Sequence, residues 1–121
     1  MKEIEYKVLD FTEYPGPRYK DQGQYSGEYF YENVIKPKFQ EALESNSILV
    51  LDLDNTAGYA SSFLDECFGN LVYDFNYDEI FKRLKIISTQ EPDWIEVIFK
   101  ETLPEWKRKR DGNIDRKSPA K

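Results

Sequence analysis

Two carboxylates and four hydroxyl-bearing side chains crowd the middle of the chain. Asp52 and Asp54 close the apolar run from Ile48 to Leu53; Asn55, Thr56, Gly58 and Tyr59 follow, and then Ser61 and Ser62. Carboxylates at the dry end of a strand serve as nucleophile or acid/base when a metal assists them. Hydroxyls at the start of a helix cap it, or accept a phosphoryl group whose charge the helix dipole favours. No histidine occurs anywhere. That removes the usual general base near neutral pH, the Ser-His and Cys-His nucleophile pairs and the commonest zinc ligand. Any catalysis here must run on carboxylates, lysines or metal-bound water.

Regular elements have to hold these groups. The run Ile48-Leu49-Val50-Leu51 predicts a strand buried on both faces. Phe63, Leu64, Cys67, Phe68, Leu71 and Val72 recur at helical spacing, with Asp65 and Glu66 assigned to the opposite face. Strand, tight turn and helix thus follow one another, and in α/β sheets partners meet the carboxyl ends of strands.

Upstream, residues 3–11 read as a first strand, antiparallel or at an edge. Residues 14–27 are dense in Gly and Pro and read as turns, with a short strand around Arg18 to Lys20. Ser26 is placed to cap a helix carrying Phe30, Val34, Ile35, Phe39, Ala42 and Leu43, which Pro37 should kink or split. Downstream, Ile80 and Phe81 suggest a short turn and Leu84 to Ile87 a buried strand ending at Ser88 and Thr89. A last helix opens near Glu91-Pro92, shows Trp94, Val97 and Ile98 on one face, and is limited by Pro104, with Trp106 packing back on the body. The alternation of strands and helices predicts a small α/β layer fold.

Composition narrows the classes further. The 121 residues suit one compact domain. No apolar run reaches the roughly 18 residues of a membrane span, and the N-terminus lacks the apolar core of a signal peptide. The single cysteine, Cys67, lies on an apolar helix face; together these features point to a cytoplasmic protein. Residues 107–121 hold seven Lys/Arg against two Asp/Glu, so the net charge of −6 divides into +5 there and −11 over the rest. An acidic body argues against nucleic acid as the main partner. The basic end lacks apolar periodicity and reads as a disordered tail following a domain at residues 1–106. A nucleic-acid adaptor acting through that tail is a third reading.

Single residues admit structural roles too. Asp52, inside an apolar strand, needs hydrogen-bonding partners. Ser61 and Ser62 can cap the helix, and Asn55 and Thr56 suit a turn. Arg18 pairs with the acidic body or binds an anion. Tyr19, Tyr25, Tyr29 and Tyr31 divide between core and contact surface.

Two resemblances compete. Asp52-Leu53-Asp54-Asn55-Thr56 resembles the first motif, D-x-D-x-T, of the haloacid dehalogenase superfamily. It implies a Mg-dependent phosphatase with Asp52 as nucleophile, Asp54 as acid/base and Thr56 as an orienting hydroxyl, Ser88 or Thr89 standing for the second motif. The further acidic pair of that family has no counterpart after Thr89. The second resemblance spans about Val8 to Phe99. Gly16-Pro17-Arg18, Ser26-Gly27-Glu28, Asp52-Leu53-Asp54 and the run from Gly58 to Glu66 together resemble a bacterial family of STAS-like domains of unassigned function, related to the anti-sigma factor antagonists.

That second resemblance implies an α/β fold with a mixed sheet and about three helices. It also implies a non-catalytic role without cofactor or metal, and a protein partner that is a histidine-kinase-like ATPase. The serine phosphorylated in the antagonists falls on Ser61, with Ser62 beside it. Ala60 stands where they have Asp, and Phe63 where they have Gly; phosphorylation is the part of the analogy these changes touch. The docking surface it implies comprises Asp54, Asn55, Thr56, Gly58, Tyr59, Ser61, Ser62, Phe63 and Arg18.

Overall fold

The computed structural model describes residues 1–118. Three strands form one sheet in the order β1-β2-β3: β1 is Glu3–Lys7, β2 is Ile48–Asp52 and β3 is Leu84–Ile87. All pairing is parallel, with Glu3 opposite Ile48 and Leu49 opposite Leu84. The sheet is therefore parallel rather than mixed, and β1 lies at an edge without being antiparallel. A parallel neighbour requires a long crossover, and residues 8–47 supply one between β1 and β2.

Side-chain alternation sorts the two faces of the sheet. Ile4, Tyr6, Leu49, Leu51, Leu84 and Ile86 enter the core. On the other face Glu3, Glu5, Lys7 and Lys85 are exposed around buried Val50. Helices thus cover β2 on one side, not both, and flanking charged side chains shelter Val50.

Residues 8–11 of the predicted first strand form a helical turn instead, Val8–Phe11, and the crossover then carries two helices joined by a π turn: α1 (Gly27–Phe30), then Tyr31–Ile35, then α2 (Lys36–Ser45). Ser26 is the predicted cap, its Oγ accepting the Tyr29 N–H at 3.0 Å. Pro37 does not break the helix. Its ring would collide with the carbonyl four residues back, and the widened turn, with the Lys36 N–H reaching the Tyr31 carbonyl, relieves that contact. Asn46 ends α2 in the left-handed conformation, φ 52°. Arg18 to Lys20 form no strand; a 3-10 turn occupies Lys20–Gln22.

The second crossover holds α3 (Ser61–Asp74) and α4 (Tyr77–Arg83). The apolar face of α3 is the expected one, from Phe63 to Val72, and Cys67 is fully buried in it. What reads as a short turn at Ile80-Phe81 is α4, capped by the Asn76 side chain on the Glu79 N–H. After β3 come α5 (Asp93–Glu96), a π turn at Val97–Thr102, and α6 (Leu103–Asp111). Pro104 repeats the device of Pro37 and does not end the helix, because the Leu103 N–H reaches back to the Ile98 carbonyl. Among the described residues, no helix is long and apolar enough to cross a membrane.

The basic end is not a disordered tail through Ser118. Lys107 to Asp111 belong to α6, which buries Trp106 and Lys109 against α3. Trp106 sits where a Cβ on Gly69 would lie 2.0 Å from its ring, so only glycine admits it. Three cationic residues in the last turn of α6 suit the negative end of its dipole. The chain reverses at Gly112 and Asn113 (φ 57°), and residues 114–118 return along α3. Polar contacts rather than an apolar stripe hold this segment, so periodicity could not reveal it. Residues 119–121 of the predicted tail lie outside the described residues.

Candidate functional site: the corner between β2 and α3

The corner begins with a local turn. The Asp52 carboxylate accepts the Asp54 N–H at 2.9 Å, so this half-buried side chain has the hydrogen-bonded role its place in the strand demands. Asn55 takes φ 71°, and Gly58 takes φ 127°, a conformation that a side chain would strain. Between them the Thr56 Oγ1 accepts the Gly58 N–H at 3.3 Å.

Two latches then tie the corner to its surroundings. Asp54 accepts the Thr89 N–H (2.9 Å), the Thr89 hydroxyl (2.5 Å) and the Gln90 N–H (3.1 Å), while the Asn55 N–H donates to Gln90 Oε1 at 2.7 Å. The Thr89 hydroxyl, aided by the two backbone donors, holds the Asp54 carboxyl below its ordinary range. On the other side, Ala57 N–H donates to Glu13 O and Ala60 N–H to Pro15 O. Tyr59 donates its phenol to Leu53 O at 2.7 Å, and burial raises that phenol so that it stays a donor.

These bonds describe a latched turn more than a phosphoryl-transfer site. A carboxyl held low is a poor general acid near neutrality. Ser88 is buried and donates to Glu91 O at 2.6 Å, and Thr89 serves Asp54. Nowhere among the described residues do three or more His, Cys, Asp or Glu side chains converge as a metal site would need.

The open part of the corner is the start of α3. Its cap position falls on Ala60, which has no side-chain acceptor, so neither serine caps the helix. Ser61 is exposed at the first helical position and Ser62 is half-buried. The first-turn N–H groups of a 14-residue helix therefore lack a side-chain partner. Phe63 is fully buried among Phe30 and Tyr59, so its side chain supports this surface from below and does not present to a partner.

Arg18 sits beside the corner, not in it. Its Nη1 donates to Asp65 at 2.7 Å and to Glu66 at 3.3 Å, which satisfies the acidic-body alternative. Glu66, assigned by spacing to the outer face of α3, is 2% exposed and also accepts the Asn70 amide at 2.8 Å. Burial raises its carboxyl above the ordinary range, against the pull of Asn70 and Arg18. The tyrosines split: Tyr31 is buried on Asp74, whereas Tyr25 and Tyr29 are exposed against Phe11.

Sequence reasoning missed Asn70, Tyr73 and Asp74 and gave Glu28 only a place in a motif; Glu28, Asn70 and Asp74 line a second polar region. A signal existed: Glu66, Asn70 and Asp74 are four apart and form one stripe of α3.

A parallel sheet with helices packed on one face and a tight strand-to-helix corner defines a small α/β domain. The chain belongs to the family described as STAS-like domain of unknown function (DUF4325), whose model matches residues 26–94. No curated protein and no solved structure matches the chain. The matched stretch contains β2, the whole corner, α3 and β3.

Proposed function

We propose that this domain is a non-catalytic regulatory module of the bacterial cytoplasm that docks a protein partner on the corner from Asp54 to Ser62. The partner class, a histidine-kinase-like ATPase, comes from the resemblance to anti-sigma factor antagonists. One observation carries the reading: Ser61 stands exposed at the first position of an uncapped helix, on a turn latched from both sides. A rigid corner with free donors and a reachable hydroxyl makes a docking point. A phosphate on Ser61 would be favoured by the helix dipole and would obstruct a partner seated there.

The test is affinity capture from the native cytoplasm with wild type and Ser61→Asp side by side, with mass spectrometry of the Ser61–Ser62 peptide. The expected result is an ATPase retained by wild type and reduced about tenfold with Ser61→Asp, where an added charge has to be desolvated under the partner. Equal retention by both proteins removes this surface from consideration. Phosphoserine in the peptide would identify the switch.

A further inference from the structure

A groove of about 700 Å³ runs along α1 and the second half of α3, lined in part by Tyr19, Glu28, Tyr31, Glu66, Asn70 and Asp74. The chain's own Arg116 and Lys117 form part of its wall. We propose that the acidic face of this groove is a binding site for a basic peptide segment of a partner protein, and that residues 112–118 cover that face as a displaceable internal stand-in. The site is separate from the corner and does not depend on what docks there.

The occupant shows what the groove recognises. Both terminal nitrogens of Arg116 meet the Asp74 carboxylate, at 2.9 and 3.2 Å, the forked geometry that selects guanidinium. Lys117 Nζ meets Glu28 at 3.1 Å. Each cation also lies over an aromatic ring, Arg116 on Tyr73 at 4.9 Å and Lys117 on Tyr19 at 5.6 Å. The backbone is gripped as well: Tyr73 donates its phenol to Ile114 O, Tyr19 to Lys117 O at 3.3 Å, and Lys109 Nζ to Arg116 O at 2.8 Å. Side-chain donors to the segment's carbonyls at intervals, with carboxylates for adjacent Arg and Lys, are the elements of a peptide site.

Two further features argue that the stand-in gives way. Ile114 is the only sizeable apolar residue in the segment, and the side chains of Arg116 and Lys117 are 37% and 62% exposed. The Lys117–Glu28 pair, with its cation mostly in solvent, is of the kind that holds weakly. Moreover, Glu28, Tyr31, Glu66, Asn70, Tyr73 and Asp74 fall inside residues 26–94 matched by the family model, whereas the segment lies beyond them. The acidic face thus lies within the family's matched stretch, and the segment that covers it does not. The −11 balance of the body against +5 at the basic end favours a cationic ligand either way.

The experiment uses the full chain and a fluorescein-labelled peptide of sequence Gly-Asn-Ile-Asp-Arg-Lys-Ser, followed by anisotropy at low salt. A tethered segment competes at an effective concentration near the millimolar range, so wild type should bind the peptide weakly. Arg116→Ala with Lys117→Ala should bind it at least about tenfold more tightly, and adding Asp74→Asn should abolish the gain. Lys117→Glu, a change at an exposed position that repels Glu28, should open one end and give an intermediate gain if the double variant folds poorly. Equal affinity for wild type and both opened variants would overturn the proposal. So would equal binding of a scrambled peptide of the same composition, which would reduce the groove to a charge effect. Concentration-dependent dimers of wild type that are lost with Arg116→Ala would assign the groove to a second copy and overturn a heterologous partner.

Discussion

The two ends of α3 are built on opposite principles. At its start, Ala60 leaves the first turn uncapped and Ser61 faces solvent. From Glu66 onward every polar side chain on the outer stripe is engaged, by Arg18, by Asn70, by Tyr31 and by Arg116. A helix end that forgoes about 1 kcal/mol of capping energy is kept open; a stripe with four reciprocal partners is kept closed. The comparison teaches where to look for a ligand at each end: free donors at the first, an occupied groove at the second.

The largest expected effect breaks the closed end. Gly69→Ala places a Cβ 2.0 Å from the Trp106 ring and should expel α6, lowering stability by about 3 kcal/mol in urea unfolding. A loss below about 1 kcal/mol would mean that α6 is not seated on α3 as described.

A smaller effect, at Asp74, titrates. The carboxyl lies below its ordinary value: burial pushes it up, but Arg116, Tyr31 and Lys36 outweigh that. A lowered carboxyl adds stability that is complete above the ordinary value near pH 4 and is lost as pH falls through the folded value. Asp74→Asn should therefore cost about 1 kcal/mol at pH 7, discounted for the exposed part of Arg116. The gap between variant and wild type should shrink as pH falls below about 4; a gap that acid does not narrow would assign the loss to packing.

At the open end the changes are gains. Ala60→Asp supplies the missing acceptor and should raise stability by about 1 kcal/mol, read as a shift in the urea midpoint at constant slope. Ser61→Asp should add about 0.5 kcal/mol through the dipole while weakening partner capture. Stability and binding moving in opposite directions is the signature of a surface held open for docking. A Ser61→Asp protein that loses both would show the hydroxyl to be structural.

What was legible in the sequence is what repeats or punctuates locally. The apolar run of β2, the spacing of Phe63 to Val72, the Ser26 cap and the LKII strand are all where the pattern puts them. The corner itself was legible as a turn because Asn55 and Gly58 are residues that accept positive φ. The latches were not, since Asp54 finds Thr89 and Gln90 some 35 residues away. Neither was the fate of the basic end. Arg110 reaches Val72 O, and Arg116 reaches Asp74, across about 40 residues, and such pairings leave no period to detect. Pro104 misled for a related reason: the turn that accommodates it is made by Val97–Thr102, none of which is an unusual residue.

Those widened turns set the clock face of everything after them. In each long helix the ladder widens to bonds that span five residues instead of four, the last of them donated by the residue just before the proline. Removing a single residue from Val97–Thr102 would restore the ordinary ladder and rotate the rest of the helix by about 100°. Trp106 and Lys109 would swing off Gly69 together, carrying Arg116 and Lys117 out of the groove. The placement of the basic segment is thus decided by one extra residue, some fifteen positions upstream of it.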